Sequence, residues 1–150
     1  MKKFLFLSMF VILLASCGGL DQKSQTGLKG NWTITNVSYP SSDYIKVTSF
    51  DVADSKCFVG SSWNFVSNNN KGTMNVGGSG NCPSFSSPIV WTVTKTGDFT
   101  LKITEGNKAK RVTEGYFLKM RNQSETSFEL VDNVTVGGKT VEVVYQFSKV

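Results

Sequence analysis

The 150-residue chain has no histidine and only three cysteines, none of them in a CxxC pair. Without an imidazole, a serine or cysteine nucleophile lacks its usual base, and a metal site lacks its commonest ligands. The acids do not make up the difference, being scattered from Asp21 to Glu142, mostly at turns or on the outward faces of expected strands. The stretch DVADS at 51 to 55 falls short of a calcium loop, because repeated acidic spacing and a distant glutamate are both missing. No helical period is sustained anywhere, and no apolar run reaches the roughly 20 residues that a spanning helix needs. The densest basic cluster, Lys108, Lys110 and Arg111, has no aromatic residues interleaved with it and reads as a solvated turn, not a nucleic-acid platform. The expectation is a protein that is not an enzyme, holds no cofactor or metal and binds no nucleic acid. The one remaining route to catalysis is paired carboxylates, and nothing in their spacing favours it.

What is present begins at the N-terminus. Lys2 and Lys3 precede an apolar segment from Phe4 to Leu14 and then small residues, the three parts of a secretory signal. Leu14-Ala15-Ser16-Cys17 resembles the bacterial lipobox. The resemblance implies cleavage just before Cys17, a diacylglycerol on its thiol and a further acyl chain, such as palmitate, on its amine. One buried chain, at about 0.8 kcal/mol per CH₂, anchors only marginally, so more than one is needed for stable attachment. Residues 1–16 are therefore expected as signal peptide and residues 17–27, polar and glycine-rich, as a flexible tether. Residues 28–150 form one domain, held by lipid in the bacterial cell envelope and expected at its outer membrane. Loss of the two lysines lowers the formal charge from +5 to +3. An odd cysteine count in an exported chain calls for an explanation, and a lipidated Cys17 leaves Cys57 and Cys82 to pair. Such a disulfide would stabilise the fold by roughly 3 kcal/mol on the chain-entropy account.

From Leu28 onward the pattern has period two. Trp32 and Ile34 alternate with Thr33 and Thr35, and the same rhythm returns at Trp63 and Phe65, at Ile89, Trp91 and Val93, at Phe99, Leu101 and Ile103, and at Val141, Val143, Tyr145 and Phe147. Each run reads as a strand with one buried face. Strands are expected over 30 to 38, 61 to 67, 71 to 77, 88 to 95, 98 to 105, 111 to 121, 126 to 134 and 140 to 149. The connections are short and rich in Gly, Asn and Asp, so neighbouring strands should pair as antiparallel hairpins. The fold class is all-β. Eight such strands can close into an up-and-down barrel that leaves no exposed edge. IKVTSF at 45 to 50 fits as an extra short strand, an extension of the first, or part of a cap over one end.

Gly30-Asn31-Trp32, opening the first strand, resembles the GxW motif of lipocalins. The stretch CFVGSSWNFVSNNNKGTM, the cysteine at 82 and the ending VVYQFSKV are similar to lipocalin-like lipoproteins of Bacteroidetes-type bacteria. The resemblance implies a lipocalin-like barrel plugged at its closed end by Trp32, with Gly30 allowing a tight approach. No TDY-like motif is found, and for the basic residue that covers the tryptophan in many lipocalins the candidates are Arg121 and Lys149.

By strand parity Trp63, Phe65, Trp91, Tyr116 and Tyr145 point inward, and the tyrosine hydroxyls could orient a ligand. These rings are either the wall of a small-molecule site or simply core. The first reading makes the protein a tethered binder of a small hydrophobic or amphipathic compound. The alternative is a filled-barrel interaction module that contacts envelope proteins or polysaccharide through its loops.

Overall fold

The computed structural model describes residues 21–42, 45–107 and 112–150. The signal segment, Cys17 and the basic cluster Lys108, Lys110 and Arg111 lie outside the described residues. Strands β1 (Gly30–Ser38), β2 (Thr48–Ser49), β3 (Ala53–Asp54), β4 (Ser62–Val66), β5 (Lys71–Gly77), β6 (Ser84–Val93), β7 (Asp98–Ile103), β8 (Tyr116–Arg121), β9 (Ser127–Val136) and β10 (Lys139–Lys149) follow in chain order. All but β2 and β3 join one closed antiparallel barrel in the order β1-β10-β9-β8-β7-β6-β5-β4, with β4 returning to β1 through the pairs Trp32 to Trp63 and Gly30 to Phe65. The expected eight-stranded antiparallel barrel is the fold.

Two strand starts differ from the sequence reading by more than two residues. β6 starts at Ser84 rather than at 88, because its inward set runs back through Ser87 to Phe85 although Ser87 and Pro88 interrupt the apolar rhythm. β8 starts at Tyr116 rather than at 111. The inner face of the barrel is apolar and tightly occupied: Trp32, Trp91, Phe99, Phe128, Phe147 and Tyr145 are all essentially without solvent exposure. One glycine is forced by this closeness. A Cβ on Gly72 of β5 would lie 2.0 Å from the Asn64 carbonyl oxygen of β4, so only hydrogen fits there.

The two ends of the barrel are closed differently. At the end where β1 begins, a short helix α1 (Gln22–Leu28) covers the opening, capped by the Asp21 carboxylate, which accepts from the amides of Lys23 and Ser24. This corrects the tether expected over residues 17–27: its second half is helical and docked. The Asp21 amide donates to the Val93 carbonyl, Gln123 Nε2 donates to the Ser24 carbonyl, and Leu28 is fully buried. Polar composition hid the docking, because the helix is held mainly through hydrogen bonds and a single apolar residue. Trp32 lies buried under α1 and donates its indole N–H to the Leu28 carbonyl at 2.8 Å. The Lys149 ammonium sits 5.3 Å from the Trp32 ring centroid, while Arg121 pairs with Glu129 at 2.8 Å. Lys149 is thus the basic residue over the tryptophan.

A cap over the barrel mouth

The opposite end, the mouth, is covered by residues 45–58, which include the IKVTSF stretch whose role the alternation left open. β2 and β3 pair only with each other, through Thr48 to Asp54 and Ser49 to Ala53, and a single 3₁₀ turn, Ser55–Phe58, returns the chain to the wall. Cys57 in that turn is disulfide-bonded to Cys82 in the β5–β6 connection, with Cα atoms 5.5 Å apart, so the expected pairing ties the cap to the barrel. Lys56 adds a second tie, donating to the Val37 carbonyl and lying over the Tyr39 ring.

The tip of the cap is Phe50. Ile45, Val47 and Ser49 alternate inward as a strand should, and then Phe50 turns inward as well. Two consecutive inward residues require a break in the pleat. Phe50 and Asp51 supply it with positive φ values of 54° and 53°, a left-handed conformation that costs a non-glycine residue on the order of 1–3 kcal/mol. The Phe50 ring enters the mouth and meets four others. It stacks on Tyr145 with centroids 5.4 Å apart and is edge-on to Tyr116 at 5.2 Å, Phe58 at 5.3 Å and Trp63 at 6.4 Å.

The structure brings the five ring residues named from sequence into one continuous array. Trp63 stacks on Phe65, whose ring is edge-on to Trp91 at 5.2 Å, and Tyr145 joins them through Phe50. Trp63, Phe65, Trp91 and Tyr145 are at most 2% exposed, so at these four positions the interior is core. The tryptophan N–H groups are satisfied within the chain: Trp63 donates to Ser61 Oγ and Trp91 to the Lys71 carbonyl. Tyr116 differs, being half-buried at the rim. Both tyrosine hydroxyls are engaged by the cap, Tyr145 with Ser49 Oγ at 2.5 Å and Tyr116 donating to the Asp51 carboxylate at 3.1 Å.

Beside Phe50 and Tyr116 the mouth opens into a hollow of about 470 Å³. Its apolar lining comes from Phe50, Val52, Phe85, Ile103 and Tyr116, and its polar lining includes Asp51, Glu105 and Glu114. The Tyr116 hydroxyl reports this surrounding charge. Burial, the hydrogen bond to Asp51 and the nearby Asp51, Glu114 and Glu105 carboxylates all push its pKa up. The Tyr145 hydroxyl is also pushed up, chiefly by burial, with the Asp132 charge adding to it. Asp132 shares the inward parity of Phe128 and Leu130 on β9, and burial raises its carboxyl above the usual range. A hollow lined by both apolar and acidic side chains can hold a small ring and a polar or charged head group.

Sequence reasoning missed Ser49, Phe50 and Asp51 as parts of this site. Their signal was IKVTSFD itself, a partly alternating stretch without a partner among the eight barrel strands.

A family model described as a lipocalin-like domain matches residues 28–130. No curated protein sequence matches the chain. Two solved structures of bovine odorant-binding protein resemble it, one from nasal mucosa and one in complex with a selenium-containing odorant. Identities are 12% and 13%, alignments cover 83% and 84% of this chain and 72% of each neighbour, and the TM-score is 0.45 in both cases.

Proposed function

The chain belongs to the lipocalin-like domain family, and on that premise we propose that it is a lipid-anchored protein of the bacterial envelope that binds a small hydrophobic or amphipathic molecule at its barrel mouth. The observation that carries this reading is the hollow of about 470 Å³ beside Phe50 and Tyr116, within the size range of small-molecule sites. The anchor is proposed from the lipobox-like LASC and the signal segment before it. Cys17 carries the lipid, and the folded barrel starts close behind it, at α1.

The ligand site is placed at the mouth because the deeper rings of Phe65 and Trp91 are closed over by their neighbours. That same filled interior favours a second reading, a module that presents its loops to an envelope protein or polysaccharide. Ligand titration separates the two. Trp63 lies against Phe50, so a molecule entering the mouth should change tryptophan fluorescence saturably, and Trp63→Phe should remove most of that change. A panel of fatty acids, sterols and small aromatic compounds that leaves the fluorescence unaltered would reject the small-molecule reading in favour of the interaction module. For the anchor, cells fed labelled palmitate should label the protein, and Cys17→Ala should abolish the label. A labelled Cys17→Ala protein would refute the assignment.

A further inference from the structure

We infer that Phe50 is a displaceable stopper and that the position of its ring is the binding site for the ring of an arylalkylamine. The inference rests on the mouth-binding reading above and extends it to the ligand's chemical class and mode of entry.

Phe50 occupies its place as a ligand would. Its ring stacks on Tyr145 and is edge-on to Phe58, Trp63 and Tyr116, while its flanking residues occupy the two tyrosine hydroxyls, Ser49 at Tyr145 and Asp51 at Tyr116. The backbone that carries it belongs to no barrel strand, since β2 and β3 form a separate two-stranded ribbon. That ribbon is tied at its base, where the Ser55 amide donates to the Val47 carbonyl and Cys57 is bonded to Cys82. Withdrawal of the tip therefore breaks the ring contacts and the two hydroxyl bonds but no barrel-strand pairing, and the base stays attached. Consecutive left-handed residues at Phe50 and Asp51 favour release, because withdrawal lets both relax into ordinary conformations. Entry space is already present: Phe50, Asp51 and Val52 form one wall of the open hollow, so their withdrawal merges the hollow with the ring site.

Charge selects the head group. Glu105 and Glu114, which lie outside the cap and stay in place when its tip withdraws, line the hollow, and Asp132 shares the inward parity of β9 and lies close enough for its charge to act on the Tyr145 hydroxyl. Lys102 on the neighbouring strand is engaged with the Val112 carbonyl. An ammonium group a few bonds from an aromatic ring would meet these carboxylates while the ring sits between Tyr145 and Trp63. Lys108, Lys110 and Arg111, in the same loop as Glu105 and Glu114, lie outside the described residues, so a ligand pair of opposite charge is the right probe of the net field.

The test uses the full purified chain, with phenylpropylamine and phenylpropionate as matched ligands followed by tryptophan fluorescence. Binding that waits for stopper withdrawal has an observed rate that levels off as phenylpropylamine concentration rises, and its affinity is lowered by the small open fraction. Phe50→Ala should bind the amine at least about tenfold tighter, with a rate that rises linearly, and phenylpropionate should bind wild type at least about tenfold more weakly than the amine does. Phe50→Leu, a smaller change that keeps an apolar filler, should show a severalfold gain in the same direction if the alanine variant does not fold. Equal or weaker amine binding in the folded Phe50 variant would overturn the stopper. Equal or tighter phenylpropionate binding would overturn the amine class. Either result leaves mouth binding of other panel members intact, whereas wild-type protein that responds to no panel member refutes that reading itself.

Discussion

Removing the indole of Trp32 is the sharpest test of how the closed end is held. The side chain is fully buried, packs edge-on to Phe128 at 4.8 Å, donates to the Leu28 carbonyl at 2.8 Å and lies beneath the Lys149 ammonium. Trp32→Ala deletes all of this and should cost about 3 to 5 kcal/mol, as for other large core aromatics. Against a total stability of about 5–15 kcal/mol for a domain of this kind, that is a large fraction. Trp32→Phe separates the contributions. The ring and most of its packing remain, but the Leu28 carbonyl loses its indole donor, so the expected cost is about 1–3 kcal/mol. Lys149→Met keeps the aliphatic stem over the ring and removes only the charge, for about 0.5–1 kcal/mol at this exposed site. Denaturant unfolding followed by the fluorescence of Trp63 and Trp91 measures all three. Because the Leu28 carbonyl ends α1, Trp32→Phe should also speed amide exchange across residues 22–28 before the barrel itself is affected. An alanine variant with an unchanged unfolding midpoint would refute the reasoning. So would a phenylalanine variant as costly as alanine, since the packing that Phe retains would then contribute nothing.

Two other expectations follow from the same packing. Replacing Cys57 and Cys82 together by serine should lower stability by roughly 3 kcal/mol and, because the bond anchors the cap, should loosen residues 45–58 in hydrogen exchange more than β9 and β10; a cap as protected as in wild type would contradict its role. Burial raises the Asp132 pKa above the ordinary value of an aspartate, so the folded state holds this proton more tightly than the unfolded chain does. Its contribution to stability is therefore lost as pH rises from near the unfolded value through the folded one. Asp132→Asn should be more stable than wild type at about pH 7, with the advantage shrinking toward about pH 4; an advantage independent of pH would show that the carboxylate's charge is not the cause.

Much of this architecture is legible in the chain before it folds. Alternation at Trp32 and Ile34, at Phe99 and Leu101, and along Val141 to Phe147 specifies strands with one buried face, and the short Gly- and Asn-rich turns specify which strands are neighbours. Both signals are local, so a linear reading recovers them. Odd cysteine arithmetic left Cys57 and Cys82 as a pair, and they are bonded. The docking of α1 was less legible, because it depends on contacts with Val93 and Gln123, far along the chain.

The sequence by itself determined which residues face inward; only the tertiary structure decided what the inward face is for. Parity assigns Trp63, Phe65, Trp91 and Tyr145 to the interior without saying how much volume the closed barrel encloses, and that volume depends on closure of the whole ring of strands. Their near-complete burial is a property of all eight strands together. Arg121 and Lys149 were equivalent as letters; pairing across β8 and β9 gave Arg121 to Glu129, and the end of β10 brought Lys149 over Trp32. Phe50 was the least readable of all. Its inward position depends on a left-handed break that violates strand parity, and the four rings around it come from the 3₁₀ turn and from strands β4, β8 and β10. The mouth exists only where those distant segments converge, so the fold, not the local sequence, sets the site.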